Sequence, residues 1–88
     1  MKRKTTFDTT MILSRLKAGY WIYYRHQEEE LKIEHLDNDR FFVMEAEYLG
    51  DTRRRELNTL DLQAFLVKRF SSQEAVERLL KPPRTDCS

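Results

Sequence analysis

The chain contains 88 residues, of which 40% are hydrophobic and 35% charged, and its 16 Lys and Arg against 15 Asp and Glu give a net charge of +1. This length predicts one domain near the lower limit for a chain that builds its own core, and the charge argues against a strongly basic nucleic-acid coat. One cysteine excludes an internal disulfide, and no apolar run approaches the ~20 residues of a membrane span. Because residues 1–6 also lack a signal-peptide core, we expect a cytoplasmic protein without a membrane partner.

The first predicted element is a helix over residues 8–18, preceded by a basic N-terminal arm at 1–7. Asp8, Thr9 and Thr10 offer side-chain oxygens that cap a helix N-terminus, and Gly19 suits the left-handed residue that ends a helix. Apolar residues recur inside this segment at helical spacing, at Ile12, Leu13 and Leu16.

Three strands are predicted next, at 20–26, 29–36 and 40–49. The first is rich in aromatic and β-branched residues, and the second alternates apolar with charged side chains. Asn and Asp residues between the second and third strands are typical of a turn, whereas Gln27-Glu28 is weaker turn material.

Two-residue turns at 27–28 and 38–39 define a register for each hairpin. The first turn places Ile22 opposite Ile33, and the second places Ile33 opposite Met44. Both registers give the middle strand the same inner face, and this agreement supports the sheet. The predicted inner face contains Tyr20, Ile22, Tyr24, Leu31, Ile33, His35, Phe42, Met44 and Ala46.

The segment after the third strand contains three consecutive arginines. A fourth strand here would turn Arg53 and Arg55 toward the inner face, so the sequence favours a short, irregular edge or a loop.

The C-terminal region is predicted to be helical. Leu62, Phe65, Leu66 and Phe70 form an apolar stripe, and the capping box at 71–74 starts a second helix that continues through Leu80. A single bent helix over 61–80 is the alternative, and residues 82–88 are expected to form a flexible tail.

These elements predict an α+β fold. The expected architecture is a two-layer αβββα(α) sandwich over residues 8–81, in which helices cover one face of a three-stranded antiparallel sheet, with a short fourth edge strand as an option.

Catalytic and metal-binding patterns are not found in the sequence. His35 is interpreted as a half-buried histidine bonded to a nearby hydroxyl or carbonyl, and Cys87 falls in the tail. Only two glycines occur, which excludes the glycine-rich phosphate loops. We therefore expect a non-enzymatic protein without a cofactor or metal.

The outer face of the predicted sheet is the candidate binding surface. It groups apolar and acidic side chains beside the arginine segment, and an apolar group on a solvent-facing sheet favours an interface over a face covered by a helix or by the N-terminal arm. The candidate partner-binding residues are Trp21, Tyr23, Glu34, Leu36, Phe41, Val43, Glu45, Glu47, Arg53, Arg54 and Arg55.

Charge is segregated along the chain. Residues 28–47 hold eight acids and two bases, a balance of −6, whereas residues 1–27 carry +5 and residues 48–88 carry +2. This separation favours association with a charged partner, although cross-strand neutralisation is its simpler explanation.

The leading hypothesis is a small interaction protein that regulates or inhibits a larger protein or nucleoprotein. An acidic sheet could also imitate nucleic acid, in the style of compact phage or plasmid inhibitors.

Two alternatives remain open. A nucleic-acid-binding protein would use Lys2–Lys4 and Arg53–Arg55, and a homodimer would stack its outer sheet faces. The αβββα order is similar to that of the double-stranded-RNA-binding domain in topology, but the basic loop before the last helix of that family has no counterpart at 56–59.

Overall fold

A computed structural model describes residues 8–47 and 50–83. Within them the chain forms a small α+β domain with a five-stranded antiparallel sheet and three helices, which confirms the predicted class and corrects the strand number. The predicted arm at 1–7, the end of the predicted third strand, and residues 84–88 with Cys87 lie outside the described residues. The elements are α1 (Thr10–Lys17), β1 (Trp21–His26), β2 (Glu29–Asp37), β3 (Arg40–Ala46), β4 (Thr52–Leu57), α2 (Thr59–Arg69), α3 (Gln73–Glu77) and β5 (Leu80–Lys81).

The sheet has the strand order β4-β3-β2-β1-β5, and its first hairpin has the predicted register. Ile22 pairs with Ile33 and Tyr24 with Leu31, across a turn in which Gln27 has a φ of 58°. A shift by one residue would turn both isoleucines, which are 0% exposed, toward the opposite face. The alternation of apolar and polar side chains therefore explains why this register is adopted.

The second hairpin differs from the prediction because β2 is irregular between His35 and Asp37. The turn has the predicted two residues, but beyond it His35 pairs with Phe41 instead of Phe42. Leu36 is the additional residue, and its side chain is 43% exposed. One additional residue in a strand shifts every later pair and turns the partner strand's side chains to the opposite faces.

This shift exchanges the two faces of β3. Phe41 and Val43, predicted on the outer face, are 0% exposed and belong to the core. Phe42, Met44 and Ala46, predicted on the inner face, alternate with those core residues and are partly exposed. The prediction for β3 was therefore wrong in which side chains it buried.

Residues 52–57 form a regular edge strand, where the sequence favoured an irregular edge or a loop. β4 pairs with β3 through six consecutive residue pairs, so Arg53 and Arg55 do point to the helix side. Both remain exposed, and the Arg55 guanidinium carbon lies 5.6 Å from the centroid of the Phe65 ring on α2. A long side chain can rest on an aromatic ring while its charge stays in water, which removes the objection to a strand here.

The C-terminal region contains two helices, so the single bent helix is wrong. The Asn58 side chain accepts a hydrogen bond from the Asp61 amide at the start of α2, and Ser72 does the same for the Ala75 amide at α3. Phe70 between them is extended, with φ −116° and ψ 147°. Because each helix has its own N-terminal side-chain cap, α2 and α3 begin separately and do not form one continuous helix.

The second of these helices is shorter than predicted. It ends at Glu77, and Leu80, predicted to be helical, pairs with Ile22 in the two-residue strand β5. The residues predicted to form the last turn of this helix therefore include a short strand that pairs with β1.

All three helices contribute to one core on a single face of the sheet. Their buried side chains join those of β1, β2 and β3 in one cluster of Ile12, Leu13, Leu16, Ile22, Leu31, Ile33, Phe41, Val43, Leu62, Leu66 and Val76. Within the described residues, the helices therefore leave the other face of the sheet uncovered.

Candidate functional site

The uncovered side of the sheet, called the open face below, is the main candidate site. Its members alternate with the core residues along each strand, because successive side chains of a strand point to opposite faces. The open face contains Trp21, Tyr23 and Arg25 of β1, Glu30, Lys32 and Glu34 of β2, Phe42, Met44 and Ala46 of β3, Thr52, Arg54 and Glu56 of β4, and Lys81 of β5.

An aromatic pair occupies the β1 side of the open face. The ring centroids of Trp21 and Tyr23 are 5.9 Å apart with the planes tilted by 49°, and the Lys32 ammonium lies 5.8 Å from the Trp21 ring. The Trp21 indole N–H donates to the Pro82 carbonyl oxygen at 3.1 Å. These contacts hold the indole in place while its ring stays partly exposed.

Two large apolar side chains lie on the β3 side of the open face. Met44 pairs with Lys32 on one side and Arg54 on the other, and Phe42 pairs with Glu34. Both Phe42 and Met44 are half-buried, so part of each side chain is available for contact.

The three acids of the open face are each engaged. Tyr23 donates its hydroxyl hydrogen to Glu30 at 2.6 Å, and this hydrogen bond raises the pKa of Tyr23 above its ordinary value. Lys32 lies 2.9 Å from Glu34. Glu56 accepts from Arg40 at 3.0 Å.

Three bases of the open face are not neutralised in this way. Arg25, Arg54 and Lys81 form no ion pair within residues 8–47 and 50–83. The open face is therefore apolar and aromatic at its centre. Outside its ion pairs it carries these three positive charges and the negative charge of Glu30, which a neutral hydroxyl does not cancel.

The expected acidic character of the sheet surface is not observed. The residues named above include three acids (Glu30, Glu34, Glu56) and four bases (Arg25, Lys32, Arg54, Lys81), and the pair Asp37 and Arg40 beside the irregularity adds one of each, so the balance is +1. Glu45, expected on this face, points to the helix side because of the β3 shift, and Glu47 follows the end of that strand.

The structure brings only part of the predicted binding set together. Trp21, Tyr23, Glu34 and Arg54 share the open face, and Leu36 is exposed beside it at the β2 irregularity. Phe41 and Val43 are buried, whereas Glu45, Arg53 and Arg55 lie on the helix side and Glu47 beyond β3.

Phe42, Met44 and Lys32 are the open-face residues that the sequence-based set missed. Residues 41–44 are four consecutive apolar side chains, so their pattern supports either face equally.

A second group of charges surrounds Glu45 on the helix side. Arg55 lies 3.3 Å and Arg69 3.9 Å from its two carboxylate oxygens, and the Arg69 guanidinium carbon lies 5.7 Å from the Phe70 ring centroid. Arg53 pairs with Glu45 across the strands but forms no ion pair within the described residues. This group joins β3, β4 and α2 and leaves one arginine available.

The two histidines occupy structural positions. His35 is half-buried, its Nε2 atom lies 3.2 Å from the Asn38 carbonyl oxygen, and its ring centroid is 5.1 Å from that of Phe41. This confirms the interpretation of His35 as a histidine bonded to a nearby carbonyl. His26 is exposed at the end of β1 and stacks on Tyr24 at 6.4 Å.

Within residues 8–47 and 50–83, no three His, Cys, Asp or Glu side chains come together in a way that could hold a metal ion. Among the same residues, every helix is too short or too polar to span a membrane. The chain matches no protein-family model, no curated protein and no solved structure.

Proposed function

We propose that this chain is a non-enzymatic interaction domain that binds a larger protein through its open face. One observation supports this proposal above the others: Trp21, Tyr23, Phe42 and Met44 are partly exposed together on a sheet face that no helix of residues 8–47 and 50–83 covers. Aromatic residues and Met are enriched at protein interfaces, where a few such side chains supply most of the binding energy.

The charges of the open face indicate the chemistry of the partner. Within the described residues Glu34 and Glu56 are in ion pairs and Glu30 accepts from Tyr23, whereas Arg54 and Lys81 form no ion pair and Arg25 contacts Tyr23. A partner surface with an apolar centre and carboxylates at its rim would complement this arrangement. A second copy of the same face offers only Glu30 as an acid outside an ion pair, so a heterologous partner with more carboxylates complements Arg54 and Lys81 better than a homodimer does. Nucleic-acid mimicry is not included in the proposal, since the acids and bases of the face nearly balance.

The test compares an open-face variant with a matched helix-side variant. Phe42→Ala is expected to weaken capture of the partner from the native host by about tenfold, as for a typical interface anchor. Leu60→Ala is the control, because Leu60 is 73% exposed on α2 and lies off the open face. Cross-links from the captured partner should reach Lys32 and Lys81 in preference to Lys68.

Two results would overturn the proposal. One is capture that survives Phe42→Ala but is lost with Leu60→Ala. The other is sedimentation of the purified chain as a dimer that Phe42→Ala converts to a monomer, because the occupant of the face would then be a second copy.

A second candidate function is the binding of single-stranded nucleic acid. It is favoured because Trp21, Tyr23 and Phe42 share the open face with Arg54 and Lys81, two basic side chains that form no ion pair within the described residues. Bases stack on exposed aromatic rings, and arginines contact phosphates. The expected arginine patch is divided, since Arg54 lies on the open face and Arg53 and Arg55 on the other. Lys2–Lys4 lie outside the described residues.

Titration of a single-stranded oligonucleotide at two salt concentrations tests this candidate. Arg54→Ala should lower the slope of log affinity against log salt by about one phosphate contact. No binding at low salt would eliminate nucleic acid as the ligand.

A further inference from the structure

The outer edge of β4 is a regular, unpaired strand edge. β4 is the terminal strand of the sheet, and no backbone hydrogen bond joins it to any segment other than β3 within residues 8–47 and 50–83. A terminal strand presents a row of N–H and C=O groups that can pair with another chain. Residues Thr52–Glu56 are all exposed along this edge.

Of the features that commonly prevent an exposed strand edge from pairing, β4 has only charged side chains. Proteins block edge pairing with very short strands, prolines, bulges or charged side chains. β4 contains six residues and no proline, and its register with β3 is continuous. Its backbone is therefore geometrically ready to accept another strand, and its side chains decide which strand can be added.

The charges on β4 are positive and partly unneutralised. Arg53 on the helix side and Arg54 on the open face form no ion pair within the described part of the chain. Arg55 contacts Glu45 at 3.3 Å, and Glu56 is neutralised by Arg40 at 3.0 Å. An added strand would thus meet available arginines on both faces of the sheet.

We propose that the β4 edge binds an extended acidic peptide segment by strand addition. Alternate side chains of the added strand would point to the two faces, so that one row of carboxylates meets Arg53 and Arg55 and the other meets Arg54. Opposite charges in neighbouring strands stabilise the pairing, and like charges destabilise it. A second copy of β4 is disfavoured, because its arginines would face these arginines.

This inference is independent of the proposed open-face partner. It depends on the backbone edge of β4, whereas the open-face proposal depends mainly on aromatic and apolar side chains of β1 and β3, and Arg54 is used by both. Phe42→Ala therefore tests the open face alone, and N-methylation of the peptide tests the β4 edge alone, so failure of one proposal leaves the other standing.

The experiment uses the full chain and a fluorescein-labelled peptide of about ten residues, a typical strand length. In this peptide two consecutive Glu residues alternate with two consecutive Val residues, so that carboxylates lie on both faces of the added strand. Two further peptides carry N-methyl groups on alternate amides, which leaves one edge able to pair, or on all amides, which blocks both edges; neither change alters the charge. Strand addition predicts that the alternately methylated peptide binds like the parent and the fully methylated peptide loses about tenfold or more in affinity. Hydrogen exchange should slow at β4 amides when the parent peptide binds.

Arginine substitutions supply the charge test. The double variant Arg53→Thr/Arg54→Thr keeps good strand formers and should weaken binding by roughly tenfold, since each cross-strand charge pair is worth a few-fold in affinity. Lys68→Thr/Arg78→Thr is the control with the same loss of charge at exposed positions off β4, and it should bind almost normally. Equal binding of both N-methylated peptides, equal loss in both double variants, absence of binding, or equally tight binding of single-stranded DNA would each overturn the proposal.

Discussion

The neighbouring residues Phe41 and Phe42 test the β2–β3 register most directly. Phe41 is 0% exposed in the core, whereas Phe42 lies half-buried on the open face. An uninterrupted two-residue hairpin would reverse these positions. Substituting each phenylalanine by alanine, one at a time, should therefore produce very different losses of stability.

The expected losses follow from burial. Truncation of a fully buried Phe to Ala costs about 3–5 kcal/mol of the free energy of unfolding, because burial is lost and a cavity remains. A ring that is already partly exposed on an open sheet face loses about 1 kcal/mol, since less apolar area returns to water and no enclosed cavity is left. A domain of this size has a stability of about 4–13 kcal/mol, so Phe41→Ala removes a large part of it.

Urea denaturation followed by far-UV circular dichroism measures both losses. With a urea slope of about 1 kcal/mol per molar for a small domain, Phe41→Ala should lower the midpoint by about 3 M or more and Phe42→Ala by about 1 M. Phe41→Leu retains most of the buried volume and supplies a folded variant if the alanine variant does not fold. An equal loss at the two positions, or a larger loss at Phe42, would refute the irregularity in β2.

Three further predictions concern stability. The hydrogen bonds from Thr59 lower the pKa of Asp39 in the folded chain. Their contribution to stability is therefore present above the unfolded pKa and is lost as pH falls through the folded pKa. The urea midpoint should decrease when the pH is lowered below about 4, and it should decrease less in Asp39→Asn. Gln27→Gly should raise the free energy of unfolding by about 0.5–1 kcal/mol in thermal denaturation, because residue 27 has a φ of 58°; no gain would contradict the turn. Gly19→Ala should lower it by about 1–3 kcal/mol, since the φ is 109° and the added Cβ would lie 3.2 Å from Pro83 Cβ; an unchanged melting temperature would count against this geometry.

The first hairpin was predictable because its pattern permits one register only. In 30–34 apolar and charged side chains alternate, so a shift would place glutamates in the core and Leu31 and Ile33 in water. The register then follows from burial even though Gln27 and Glu28 are unusual turn residues.

The second hairpin was not predictable from the same argument. Four apolar side chains in succession at 41–44 can bury either alternate pair, so the hydrophobic pattern of β3 does not select a face. The irregularity at Leu36 selects it, and a single additional residue leaves no clear mark in composition or spacing. The predicted binding set contains the same error. It includes Phe41 and Val43, which are buried, and omits Phe42 and Met44, which lie on the open face.

The prediction for β4 failed for a different physical reason. Arginines that face the helix side are incompatible with a buried core, but this strand lies at the sheet margin, where Arg55 covers the Phe65 ring and keeps its charge exposed. Residue type alone does not reveal whether a position lies at the centre or at the margin of a sheet.

The two-residue strand β5 has a consequence for the order of folding. β1 to β4 pair as consecutive neighbours, whereas β5 returns to β1, and the indole of Trp21 bonds to the Pro82 carbonyl across 61 sequence positions. Short loops close at small entropic cost and fold rapidly, while distant segments must wait for a large loop to close. On a translating ribosome, the four consecutive strands are complete before residues 80–81 have been synthesised. Until then the outer edge of β1 is unpaired, so the nascent sheet has two open edges, and the finished sheet retains β4 as its long open edge.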